Sequence, residues 1–196
     1  DDYDTEFRHL DRPFEPIQRL DVDGRVVYVG TFSKTLSPSL RIGFLVAPPP
    51  IVDEMTAARR LTDAQPPHLT QAALADLITG GAFDRHLRRM RRAVAPRHAV
   101  VTEAIAALHD DGLVPAVIPA HAGLHAMLEL PPGTGAAALA ARLARRGVVL
   151  DTTDDWWAGR AEYPGLLIGF GLAGVADLQR AFTEIRAELR SEHGTV

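Results

Sequence analysis

The chain has 196 residues, 46% hydrophobic and 23% charged, with a formal net charge of −4 and a pI near 6.1. That length and composition can bury a core, which excludes a disordered tail, and the acidic balance excludes a nucleic-acid binder that is basic throughout. Cysteine is absent, which excludes disulfides, thiolate metal sites and a cysteine nucleophile. In chain order, Asp1 and Tyr3 come first, two apart and so on one side of an extended segment, where they can share a ligand or form a solvated acidic start. Pro13, Pro16 and Asp21-Val22-Asp23-Gly24 read as a loop leading to a strand over 25–30.

Next comes Gly30-Thr31-Phe32-Ser33-Lys34-Thr35-Leu36-Ser37-Pro38-Ser39-Leu40-Arg41, and a second predicted strand from Leu40 to Ala47. Lys34 is the only lysine in the sequence; the other basic residues are arginines. Arginine stays protonated, whereas a lysine can lose its proton and attack a carbonyl. A strand, a hydroxyl-rich turn with one lysine and an arginine at the head of another strand bring an amine, hydroxyls and a guanidinium to one pocket. A phosphorylated aldehyde needs that set. The competing reading of Lys34 is a surface amine. A Walker loop requires glycine where Ser33 stands, and a Ser-x-x-Lys motif requires serine where Thr31 stands.

Helical periodicity predicts helices over 51–64 and 69–78, separated by Pro66-Pro67, and a long helix over 83–108 with Pro96 as a kink or joint. Arg85, His86, Arg88, Arg89, Arg91, Arg92 and Arg97 make its front basic. They are expected to spread around the helix, with no interleaved aromatics, so that their stems cover apolar neighbours and no phosphate-binding face results. Beyond Asp110-Asp111-Gly112, strands are predicted over 114–118, 124–130, 148–150 and 166–170, and helices over 136–146 and 175–189. His121 and His125 are four apart, but Gly123 and the extended pattern make them structural, so no metal site is expected. No apolar run reaches the roughly 20 residues of a membrane span.

The Asp-Asp-Tyr-Asp opening, the Gly-Thr-Phe-Ser-Lys turn, Arg41 seven residues past the lysine, the stretch from Gly80 to Arg92, and Ala122-Gly123-Leu124-His125 together resemble the fold type I pyridoxal-phosphate (PLP) proteins. Among these the chain is most similar to the aminotransferase-like domain of MocR-type regulators in the GntR superfamily, and the likeness covers most of its length. It implies an α/β fold: residues 1–96 as the later part of the large, mostly parallel sheet domain, and 97–196 as the small C-terminal α/β domain. It also implies a larger protein, because members carry a long segment ahead of the Asp-x-Tyr motif.

By the same resemblance Lys34 forms the internal aldimine with PLP and acts as general acid and base. Asp1 pairs with the pyridine nitrogen, Tyr3 contacts the phenolic oxygen, and Thr31, Ser33 and Arg41 hold the phosphate. One position departs from the family. Leu167 stands where many such aminotransferases use an arginine for the substrate carboxylate; Arg160 is a candidate substitute, and Asp154-Asp155-Trp156-Trp157 could shape the pocket. The resemblance therefore favours a cytoplasmic, homodimeric effector domain that senses a small amine or amino acid and reaches DNA only through an upstream winged helix-turn-helix, with no membrane partner. The alternatives are a class I/II aminotransferase acting on an amino acid or amine, and a non-catalytic remnant that only packs or dimerises.

Overall fold

The computed structural model describes residues 5–9, 15–62, 67–159 and 163–193. The chain divides into two units, Asp1–Met90 and Arg91–Val196. In the first, β1 (Tyr28–Thr31) pairs antiparallel with β2 (Gly43–Val46), in a register running from Tyr28 opposite Val46 to Thr31 opposite Gly43. β1 starts later than its apolar run predicts because the Val26 N–H donates to the Asp21 carboxylate at 2.7 Å, closing a loop instead of joining a ladder. That bond, with further backbone N–H groups led by Arg25, holds the Asp21 carboxyl below its ordinary range.

β2 also starts late. Ser37 accepts a hydrogen bond from the Ser39 N–H at 3.2 Å and caps a 3-10 turn over Pro38–Leu40, which leaves Arg41 in the left-handed region at φ 51°. The one described strand pair of this part is antiparallel. The physical reason is the connection over residues 32–42, which is shorter than the crossover of a dozen or more residues that a parallel pair requires. Helices α1 (Pro49–Thr62) and α2 (His68–Thr79) follow, and neither fully buries a residue.

Helix α3 (Ala82–Asp110) runs unbroken through Pro96, the expected junction. Leu87, Val94, Val101 and Leu108 are buried at heptad spacing and form its apolar seam. The helix ends in a Schellman motif, with Gly112 at φ 71°, its N–H bonded to the His109 carbonyl, and the Leu113 N–H bonded to the Leu108 carbonyl.

In the second unit a sheet of order β3-β5-β4 joins β3 (His125–Glu129), β4 (Asp151–Thr152) and β5 (Gly165–Gly169), with both pairings antiparallel. Alternating Ala126 and Leu128 on β3, and Leu166 and Ile168 on β5, are buried, which gives the sheet one apolar face. Helix α4 (Ala136–Arg145) buries Ala136, Leu139 and Leu143 and packs on this sheet; α5 (Val175–His193) buries Leu178, Phe182, Ile185 and Leu189 and packs on α4.

Two predicted strands are absent. Residues 114–118 form no ladder: Pro115 offers no N–H, and the segment follows directly on the α3 cap. Residues 148–150 are unpaired because the Val148 N–H closes α4 by bonding to the Leu143 carbonyl at 3.0 Å, across Gly147 at φ 80°. Pairing resumes at Asp151.

Candidate functional site

Thr31 ends β1, and the Phe32 N–H extends the pairing by bonding to the Ile42 carbonyl at 3.1 Å. The chain then turns over residues 33–36, so Thr31, Ser33, Lys34 and Arg41 all lie on or beside one short connection pinned at both ends by a ladder. The Thr31 hydroxyl oxygen accepts from the Ser33 N–H at 3.1 Å, which leaves its own proton available for an anion. Thr35 is buried, and the Leu36 N–H closes the turn on the Phe32 carbonyl at 2.9 Å. Lys34 is half-buried between these anchored residues, and Arg41 is exposed. A left-handed arginine carries a strain of about 1–2 kcal/mol.

Aromatic rings brace the connection. Phe44 lies 5.5 Å from Phe32 and 5.9 Å from Tyr28, with its ring over Gly30, where a Cβ would come within 2.5 Å of it. From the front of α3, Phe83 meets Phe32 edge-on at 5.8 Å, and His86 Nε2 lies 2.7 Å from the Thr35 carbonyl oxygen. Sequence reasoning missed Thr35 and His86 as site residues. A histidine fifty-one positions away, on a helix read as merely basic, carries no local signal of a partner in this turn.

Asp1 and Tyr3 lie outside the described residues, as does Arg160. Leu167 lies in β5, opposite Met127 and Asp151, and is half-buried. With Leu150, Asp151, Thr152, Asp155 and Trp156 it lines a cleft of about 430 Å3 within the second unit. None of these lining residues is a cation. Among the described residues no three His, Asp or Glu side chains converge as a metal site, and no helix is long and apolar enough to cross a membrane.

The basic stretch of α3 departs from expectation. Arg85, Arg88, Arg89 and Arg92 are exposed and follow i, i+3, i+4, i+7 spacing, so they share a face opposite the buried Leu87 and Val94 instead of spreading around the helix. Of the group at 85–92, Arg91 and the half-buried His86 stand off that face.

The chemistry of the turn fits PLP. An amine suits the aldehyde carbon, and a hydroxyl, backbone N–H groups and a guanidinium on the same connection suit a phosphate. The family described as aminotransferase class I and II matches residues 4–154, which include the lysine turn, α3 and β3. The chain belongs to that family. It is 34% identical to the uncharacterized HTH-type transcriptional regulator YhdI of Bacillus subtilis over 187 residues, 95% of this chain and 39% of the relative. Over 100 residues, 51% of this chain and 20% of the relative, it is 54% identical to the probable rhizopine catabolism regulatory protein MocR of Rhizobium meliloti. The crystal structure of Pyrococcus horikoshii kynurenine aminotransferase, a complex with PMP, matches at a TM-score of 0.83 and 25% identity, over 96% of this chain and 46% of that one. The fold is that of part of a fold type I aminotransferase, and the chain spans less than half the length of these relatives.

Proposed function

We propose that this aminotransferase-family chain is the PLP-binding effector part of a MocR-type transcriptional regulator. The observation that carries the reading is the lysine turn: the sole lysine of the sequence sits on a braced connection with Thr31, Ser33 and Arg41. In this reading Lys34 Nζ is the covalent attachment point for the cofactor's aldehyde. Thr31, Ser33 and Arg41 take its phosphate, while Asp1 and Tyr3 serve its ring nitrogen and phenolic oxygen. When bound, the group supplies an electron sink for a carbanion formed next to an amine nitrogen. Lys34 Nζ is the base that moves the proton at that carbon. The ligand is a small amine or amino acid, the assembly a cytoplasmic homodimer, and DNA is reached through a separate helix-turn-helix domain of the kind named in the relatives.

Reductive trapping tests the assignment. Borohydride treatment of the intact protein with PLP is expected to leave a pyridoxyl group on the peptide that carries Lys34, and Lys34→Ala to abolish it. A label elsewhere, or none, rejects the reading.

The structural match to an aminotransferase favours a second reading, turnover as a class I/II aminotransferase. Leu167 weighs against ordinary amino-acid substrates, because among the described residues no guanidinium lines its cleft to pair with a carboxylate. Conversion of PLP to its amine form by a panel of amino donors at a useful rate would select turnover over sensing.

A further inference from the structure

We infer that His86 is a positioning residue for Lys34, acting through the backbone of the lysine turn; this rests on the reading of Lys34 as the cofactor's attachment point. His86 Nε2 lies 2.7 Å from the Thr35 carbonyl oxygen, one residue beyond the lysine. A carbonyl only accepts, so Nε2 carries the proton and donates. The other ring nitrogen, Nδ1, lies 3.1 Å from Arg89 Nη2. A guanidinium only donates, so Nδ1 must present its lone pair. The two neighbours therefore select one tautomer, with the proton on Nε2, and Arg89 keeps it there.

The bond is long-range and adds to bonds that close the turn within itself. Within the turn the closing bonds are Leu36 N–H to the Phe32 carbonyl at 2.9 Å and a weaker contact from the Thr35 hydroxyl to the same oxygen at 3.4 Å. Both tie the turn to itself. The histidine instead ties it to α3, beside the edge-on contact of Phe83 with Phe32. Fixing the Thr35 carbonyl fixes the peptide plane that follows Lys34, and with it the direction in which the lysine side chain leaves the backbone. A loose turn would let the amine swing, and an amine must hold a set position to remain bonded to a carbonyl carbon while the phosphate is held by its own contacts.

The experiment uses the intact protein and three substitutions. His86→Phe keeps an aromatic ring but has no donor, His86→Gln returns an N–H at similar reach, and Arg89→Met removes the exposed group that fixes the tautomer. PLP affinity, the visible absorption band of the bound cofactor with its pH midpoint, and the melting temperature are measured for each. H86F is expected to weaken PLP binding about tenfold, the scale of one lost hydrogen bond, and to shift the band's pH midpoint. H86Q is expected to restore both to within about threefold of the parent. R89M is expected to weaken binding a few-fold in the parent and to have no effect in the H86Q background, because an amide needs no tautomer fixed.

Unchanged affinity and midpoint in H86F overturn the proposal, as does an equal effect of R89M in both backgrounds. Should H86F fail to fold, the comparison of R89M in the two backgrounds decides alone. A parent protein with no cofactor band, or K34A with the band intact, overturns the Lys34 reading and this proposal together. A parent band that depends on Lys34 but not on His86 overturns the positioning role only.

Discussion

Glu188 is a carboxylate drawn almost wholly out of water, with its side chain 7% exposed on α5. It survives as an ion because two guanidinium groups meet it: Arg142 Nε at 2.7 Å and Arg146 Nη2 at 2.9 Å. The hydrogen bond from Arg142 is the main reason its carboxyl is held below the usual carboxylate range, with the charge of Arg146 adding to it and burial opposing. A carboxyl depressed by folding stabilises the native state at pH values above its unfolded value of about 4.3, and that stability disappears as pH falls through the depressed value. Glu188→Gln is therefore expected to cost about 1–3 kcal/mol at pH 7, the worth of charged hydrogen bonds, and to flatten the loss of stability on acidification below about pH 4. Urea melts at pH 7 and in that acid range measure both; equal acid sensitivity in parent and variant would remove Glu188 from the account. Nothing in the local sequence marks this residue, since its partners are some forty-two to forty-six positions away. Lys34 is the opposite case, because its isolation among arginines is itself a sequence signal.

At the scale of elements, the helices were legible and the strands less so, for one physical reason. Helices close their hydrogen bonds within themselves, so the apolar spacing of α3, α4 and α5 fixed their extents to within a few residues of prediction. A strand needs a partner that its own sequence does not name. Residues 114–118 and 148–150 have strand-like composition, but they follow directly on Schellman caps and find no partner. The arginines of α3 do not spread around the helix as their number suggests, because four of them fall at i, i+3, i+4 and i+7 and so share one exposed face. The β1–β2 pair exposes a further local constraint. A Cβ on Gly43 would lie 2.8 Å from the Gly30 carbonyl oxygen, a backbone atom that cannot move without opening the ladder. Gly43→Ala is expected to lower stability by about 1–3 kcal/mol through overpacking, and to loosen PLP retention because the ladder pins both ends of the lysine turn. Thermal melts with cofactor titration check this; retained affinity despite a lower melting point would show that the turn does not depend on the ladder.

Across the whole molecule the buried side chains are unevenly shared. Phe7 and Leu87 are the only buried hydrophobic side chains described in the first unit; the rest of the apolar core falls between Val94 and Leu189. Each fully buried Leu, Ile or Phe contributes about 1.5–3 kcal/mol, so among the described residues the second unit carries most of the apolar core. In the first unit Phe44, Leu45 and Val46 remain exposed along β2, while Leu61 on α1 and Leu69 on α2 are each 89% exposed. A two-stranded pair is marginal in water, and an apolar strand with an unpaired edge is a template for association. The 196-residue chain produced alone is therefore expected to bind a hydrophobic dye, to elute as a mixture of assemblies and to retain PLP poorly. Leu45→Lys, which puts a charge on that strand, is expected to reduce the assemblies in the same preparation. A longer polypeptide that carries the segments the relatives add is expected to be dye-silent and of one size, because the relatives are more than twice as long as the matched region. Size-exclusion chromatography with dye titration compares the three. A dye-silent, single-sized 196-residue protein would mean that the exposed strand and helices are covered from within, and assembly unchanged by L45K would place the sticky surface away from β2.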